Sequence, residues 1–352
     1  MEISYIHFYV ENSTRERNYF IEKMGFQPVE NSTHYFQNSE ILVNNGIIFV
    51  LSSPNSSSDS VGKYLKKHSS GVKDIAIRVK SIDSFLQSAV KNGAEVLQPL
   101  QSIQINGQFL RQARIKGWGD LYHTLIESNT KHFWSFPAAK MPEFSIIDHV
   151  VLNVCKGELE PAVCFYKKIL GLRSQQNFTI QTSRSGLLSQ ALVDKTGQFQ
   201  FNINQPSSDN SQIQEFINHN RGAGIQHIAL KTNNLIKTVT QLRHNGLPFL
   251  DVPTDYYRHL QERYRKHNFS GLSHQEWQAI EKQGILIDFH LDLPESLLMQ
   301  IFTHPIFAEP TFFLELIERR QQMQGFGEGN FQALFEAMEA AQMQRNQDFA
   351  LG

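Results

Sequence analysis

Residues 224–246 read GIQHIALKTNNLIKTVTQLRHNG, and residues 71–93 read GVKDIAIRVKSIDSFLQSAVKNG. Each begins with a short apolar run that suits a buried strand. Each continues into an i, i+3, i+4 stripe: Ile82, Phe85, Leu86, Ala89 and Val90 in one, Leu235, Ile236, Val239 and Leu242 in the other. Both predicted helices stop at Asn-Gly, and the interval from Asp74 to Gly93 equals that from His227 to Gly246. A second pair of segments repeats the plan. Ser4–Phe26 and Ile146–Leu172 each hold a strand (YIHFYV; IDHVVLNV) and then a helix (YFIEKMGF; FYKKILGL). Ser13 and Glu16 predict a capping box, and Gly25 and Gly171 predict left-handed helix stops. His7 and His149 hold equivalent places.

The repeat predicts an α+β protein of tandem βαβββ modules, paired into two open, barrel-like halves. A curved sheet of this kind has a concave interior where a site can form. The expected domains are an N-terminal half over residues 1–135 and a C-terminal half over 143–352. Between them Asn129–Ser145 carries Pro137 and Pro142 without a clean period and reads as a linker. Residues 254–288 interrupt the fourth module with a polar, mostly helical insertion, expected to pack outside the barrel.

Chemistry enters through Pro310–Arg319, PTFFLELIER. At period two, Phe313, Glu315 and Ile317 share one strand face. A carboxylate on a buried face needs a partner, because an unpaired buried charge is costly. An arginine is one possible partner; a metal ion is another. His149 and His227 each sit in a short apolar strand, at related places in the repeat. Two imidazoles and one carboxylate form the facial triad that suits non-haem Fe(II) with open positions. The N-terminal half has His7, Asp74 and Thr124 at the matching positions, so only the C-terminal half carries a full ligand set.

Composition sets the bounds. The 352 residues carry 33 Lys and Arg against 34 Asp and Glu, a net charge of -1, which gives no reason to expect nucleic acid or an anionic membrane as partner. Cys155 and Cys164 fit no zinc pattern and require no disulfide. MEISYIHFYVENS lacks a basic region followed by an apolar core, and no run approaches the ~18 apolar residues of a membrane span. A cytoplasmic protein is expected. Many of the 26 phenylalanines fall late in the chain. There, GFGEGNFQALFEAMEA places Gly325, Gly327 and Gly329 before an expected N-cap, Asn330, and an apolar face of Phe331, Leu334, Phe335 and Met338. This reads as a lid helix on a glycine hinge that shields a pocket from water.

Taken in order, IDHVVLNV, GAGIQHIAL, LLMQIFTHP, PTFFLELIERR and GFGEGNFQALFEAMEA closely resemble the 4-hydroxyphenylpyruvate dioxygenase family. The resemblance covers most of residues 146–352 and is weaker over the N-terminal half. It implies the vicinal oxygen chelate fold and an Fe(II) cofactor on His149, His227 and Glu315. It further implies an α-keto acid substrate that chelates the metal, O2 as co-substrate, and homogentisate and CO2 as products, in tyrosine catabolism. The polar pocket residues implied are Ser189, Asn204, Gln226 and Gln300, with Gln212 beside the substrate. The aromatic contacts implied are Phe302, Phe313, Phe326, Phe331 and Phe335, with Asn330 on the lid. Gln226 faces away from His227 on a regular strand and reaches the pocket only if the strand is bulged. Asn202 stands where many members have proline. A homo-oligomer, dimer or tetramer, is expected. The rival readings are a hydroxymandelate synthase, an extradiol catechol dioxygenase, and a metal-free protein that binds an aromatic ligand.

Overall fold

The computed structural model describes residues 1–29, 39–105, 108–129, 143–266, 271–289, 295–321, 323 and 325–351, with Thr254, Glu328 and 346–351 described by their backbone alone. Most of the expected linker, residues 130–142, lies outside the described residues. The N-terminal half runs β1 (Glu2–Tyr9), α1 (Ser13–Met24), β2 (Gln27–Pro28), β3 (Ser39–Asn44), β4 (Ile47–Ser52), α2 (Ser60–Lys67), β5 (Gly71–Arg78), α3 (Ile82–Lys91), β6 (Val96–Ile105), β7 (Gln108–Lys116) and β8 (Tyr122–Ser128). The C-terminal half repeats it with β9 (Ile146–Asn153), α4 (Leu159–Ile169), β10 (Arg173–Gln181), β11 (Gly186–Val193), β12 (Gln200–Pro206), α5 (Gln212–Asn220), β13 (Gly224–Lys231) and α6 (Leu235–His244). The inserted helices α7 (Thr254–Lys266) and α8 (His274–Gln283) follow. Then come β14 (Leu286–Phe289), β15 (Leu297–Phe302), β16 (Phe313–Arg320) and the terminal helix α9 (Glu328–Leu351).

Each half is one eight-stranded sheet, and the two strand orders correspond: β2-β3-β4-β1-β5-β8-β7-β6 and β10-β11-β12-β9-β13-β16-β15-β14. At the centre of each, the first strands of its two modules pair antiparallel. Period two then sorts the side chains. Ile6 and Phe8, Val150 and Leu152, and Leu314 and Leu316 join the main core with Phe20, Met24 and Tyr166 of the helices. By the same alternation His7, His149 and Glu315 fall on the other, concave face. The halves share this core: the Phe8 ring lies 5.1 Å from Phe312 and 5.9 Å from Phe307.

Three local details differ from expectation. Helix α1 is capped by Asn12, whose side chain accepts from Arg15 N, while Glu16 pairs with Arg15. Helix α9 begins before Asn330, and Asp288 Oδ2 accepts from Gly329 N at 2.8 Å, so the capping carboxylate comes from β14. The insertion does more than elaborate the outside. Tyr256 of α7 holds β14 through Ile287 and donates to Asn330 Oδ1 on α9 at 2.8 Å.

Candidate active site

The sheet register brings the triad together. Ala229 on β13 pairs with His149 on β9 and with Glu315 on β16, so the imidazole and the carboxylate flank a small side chain in one row. His227 lies two residues back on β13, on the same face. Glu315 Oε2 is 3.1 Å from His149 Nε2 and 3.6 Å from His227 Nε2. One ligand atom from each of the three residues lies within 4.8 Å of the others, and all three are buried. This is the one such group of His, Cys, Asp or Glu among the described residues.

Hydrogen bonds behind the imidazoles fix which nitrogen faces inward. Asp148 Oδ1 accepts from His149 Nδ1 at 3.0 Å, and Gln226 Oε1 accepts from His227 Nδ1 at 3.1 Å. Both Nε2 atoms are thereby turned toward Glu315, the orientation that metal binding requires. Burial opposes charging His149, but Glu315 and then Asp148 outweigh it and lift the pKa to about 9. The same carboxylates favour a cation at that spot. His227 is held well below its ordinary value by burial and by the His149 charge, so it presents a neutral donor. Once a bound cation displaces the His149 Nε2 proton, two imidazole nitrogens and one carboxylate suit a divalent first-row metal. Asp148 is buried, which works against its ionisation, yet Arg319 and His149 keep it well below the usual carboxylate range.

Beside the triad is a cavity of about 60 Å³. Its walls include Ser189, Asn202, Asn204, Gln212, Gln226, Gln300, Phe302, Phe326, Phe331 and Phe335. Val151, Ile180, Leu187, Leu334 and Met338 complete the apolar part. A bulge between Ile225 and His227 turns Gln226 into the cavity, where its Nε2 donates to Gln212 Oε1 at 2.8 Å. Gln300 donates to Glu315 Oε1 at 2.8 Å and to the Phe326 carbonyl at 3.0 Å. Phe326 meets the His149 ring edge-on at 5.3 Å. Two expected contacts stand one layer back. Phe313 is stacked on His227, and Asn330 donates to Gln300 Oε1 at 2.8 Å.

Asn202 was legible only as a departure from a pattern. Its Oδ1 is buried with no hydrogen-bond partner among the described residues, and the residue is on the cavity wall. Asp148 and Arg319 are the functional pair the sequence does not mark. A pairing between residues so distant in sequence has no local signal.

In the N-terminal cup Asp74 and Thr124, the counterparts of His227 and Glu315, bind each other. The register sets Tyr5, and not the expected His7, at the place of His149, because Tyr5 pairs with Ala76 as His149 pairs with Ala229. Asp74 accepts from Thr124 N and Oγ1 and faces Arg114 Nε at 3.4 Å, and His7 Nε2 lies 2.6 Å from Ser52 Oγ. Among the described residues, no helix is long and apolar enough to cross a membrane.

Comparisons with known proteins agree with this architecture. The family model "Hydroxyphenylpyruvate dioxygenase, HPPD, N-terminal" matches residues 1–135. That of the glyoxalase, bleomycin resistance protein and dioxygenase superfamily matches residues 146–270. The chain is 34% identical to an uncharacterized protein of Synechocystis, over 98% of this chain and 99% of that one. It is 33% identical to 4-hydroxyphenylpyruvate dioxygenase of Dictyostelium discoideum, over 97% and 98% of the two chains. Among solved structures, a triple mutant of 4-hydroxymandelate synthase from Streptomyces coelicolor superposes with a TM-score of 0.85 at 25% identity, covering 97% of this chain and 98% of that one. The fold is the vicinal oxygen chelate architecture. With paired βαβββ halves and sequence identity running nearly end to end, the chain belongs to the 4-hydroxyphenylpyruvate dioxygenase family of enzymes.

Proposed function

We propose that this enzyme is an Fe(II)-dependent dioxygenase that converts 4-hydroxyphenylpyruvate and O2 to homogentisate and CO2. The observation that carries the reading is the buried His149, His227 and Glu315 group opening onto a cavity walled by aromatic rings and amides. Its donor set fits the ion, with His149, His227 and Glu315 as the ligands. When bound, the ion would supply coordination for the keto acid and activation of O2.

Charge balance supports a metal enzyme over a metal-free binder. No Lys or Arg lines the cavity among the described residues. Without a metal the charge on His149 balances the Glu315 carboxylate, so an entering keto acid would bring a buried negative charge with no partner, which is costly. A divalent ion, one carboxylate ligand and one singly charged keto acid sum to zero.

The side chains then divide the work. Asp148 and Gln226 hold the imidazoles through Nδ1. Gln300 orients Glu315. Phe331 and Phe335 press on the ring and exclude water, so the reacting groups meet in a low-dielectric space. Ser189, Asn202, Asn204 and Gln212 offer the phenol hydroxyl its hydrogen bonds. The cavity is smaller than the ~150 Å³ that admits benzene, so entry requires the α9 side chains to withdraw. Within the proposal, residues 143–352 form the catalytic half, residues 1–135 a half without a metal site, and the chain assembles as a homo-oligomer.

The test is anaerobic Fe(II) titration, then O2 uptake and product analysis with 4-hydroxyphenylpyruvate. Iron-dependent uptake with homogentisate as product is expected. 4-Hydroxymandelate as product would move the chain to the synthase reading, which the Streptomyces neighbour keeps in view. His227→Ala should lose iron and turnover while keeping its fold, and unchanged uptake would remove His227 from the site.

A further inference from the structure

We propose that Arg319 is a positioning residue that couples the place of the His149 imidazole to the closed state of the terminal helix. This rests on the reading of His149, His227 and Glu315 as the metal ligands. The guanidinium has two sets of partners at opposite ends. Its Nε and Nη2 donate to Asp148 Oδ2 and Oδ1 at 2.8 and 2.6 Å, and Asp148 Oδ1 in turn holds His149 Nδ1. Its Nη1 donates to the Met323 and Gly325 carbonyls at 3.1 and 2.7 Å. Those carbonyls belong to the segment that turns the chain from β16 into α9, just before Phe326 stacks edge-on against His149.

The arrangement is suited to coupling for three reasons. Arg319 and Asp148 side chains are 8% and 4% exposed, so neither end can exchange its partner for water without a large desolvation change. The planar fork makes the two ends rigid with respect to each other, which a lysine could not do. A parallel connection runs through Gln300, which joins Glu315 to the Phe326 carbonyl and to Asn330. Opening α9 therefore pulls on the groups that aim two of the three ligands. Conversely, an ion that locks His149 in place favours the closed helix.

The experiment uses hydrogen exchange of peptides covering residues 325–345, in the full chain, with and without metal. Two variants are compared with wild type, Arg319→Lys and Asp148→Asn. Among the described residues Asp148 has no hydrogen bond to the terminal helix, so its variant reports transmission and not lost contact. In metal-free protein both variants should exchange these amides several-fold faster than wild type at unchanged overall fold. With Co(II) as a spectroscopic probe, wild type should gain protection over 325–345. Both variants should bind Co(II) roughly tenfold more weakly and gain little protection. An Asp148→Asn chain whose helix exchanges as in wild type would overturn the coupling. So would Arg319→Lys with a loosened helix and wild-type Co(II) affinity, which would make Arg319 a local tether. If wild type takes up no metal, the metal reading fails separately, and the metal-free comparison still decides the linkage.

Discussion

The Phe313 ring lies on the face of the His227 imidazole, centroids 4.7 Å apart and planes 21° from parallel. Both residues project from paired, parallel strands, so the contact follows from the β13–β16 register. The stack limits rotation of His227 about its own axis, while Gln226 fixes its Nδ1. Phe313→Leu keeps most of the volume but removes the ring contact, which is worth about 0.5–1.5 kcal/mol. We expect iron affinity to fall by up to about tenfold, read by anaerobic titration. Wild-type affinity would leave Phe313 as plain core.

Asn202 should trade stability for specificity. Its buried Oδ1, without a hydrogen-bond partner among the described residues, carries a desolvation cost of about 1–3 kcal/mol. Asn202→Leu should therefore unfold at equal or higher denaturant concentration than wild type. The same change removes a hydroxyl acceptor from the cavity wall, so the ratio of kcat/KM for 4-hydroxyphenylpyruvate over phenylpyruvate should drop. A less stable variant with unchanged discrimination contradicts this assignment.

Gly327 tests the hinge. Its φ is +77°, and a Cβ there would run into the Gln300 amide that holds Glu315. Gly327→Ala adds left-handed strain of about 1–2 kcal/mol and displaces Gln300. Turnover should fall more than overall stability, measured by O2 uptake alongside chemical denaturation. Equal, small effects on both would show that Gln300 moves away at no cost to Glu315.

Acid should unfold the protein through buried neutral histidines. Burial lowers the pKa of both His7 and His123 to about 4, from 6.5. The unfolded chain then binds more protons between pH 4 and 6.5, so stability is full above 6.5 and is lost as pH falls toward 4. The loss is about 3 kcal/mol per group at most. Urea midpoints between pH 4.5 and 7 should show this slope, and His123→Gln should flatten it. An unchanged slope in that variant would place the acid sensitivity elsewhere.

How far the fold was legible follows from what repeats. Matching strand, stripe and Asn-Gly stops at 71–93 and 224–246 stated the module twice, and Gly93 and Gly246 do take the left-handed φ of helix stops. His149, His227 and Glu315 could be named because they make a full ligand set, while the N-terminal half has Asp74 and Thr124 where the C-terminal half has His227 and Glu315. Asn330 has the residue type of a cap, but the carboxylate that caps α9 is Asp288, on strand β14. Tyr256 looked like solvated insertion and instead touches Asn330.

The sequence by itself determined the period-two and helical patterns, hence which residues face the concave side and which join the core, because burial acts on each local face. It also determined the chemistry available there, two imidazoles, a carboxylate, amides and phenyl rings. Only the tertiary structure decided which of these meet. The bulge that turns Gln226 inward, the Asp148–Arg319 pair and the closed α9 over a small cavity come from strand register and packing between distant segments. Such contacts have no periodic trace along the chain, because the energy that selects them arises only once the sheet has brought their partners together.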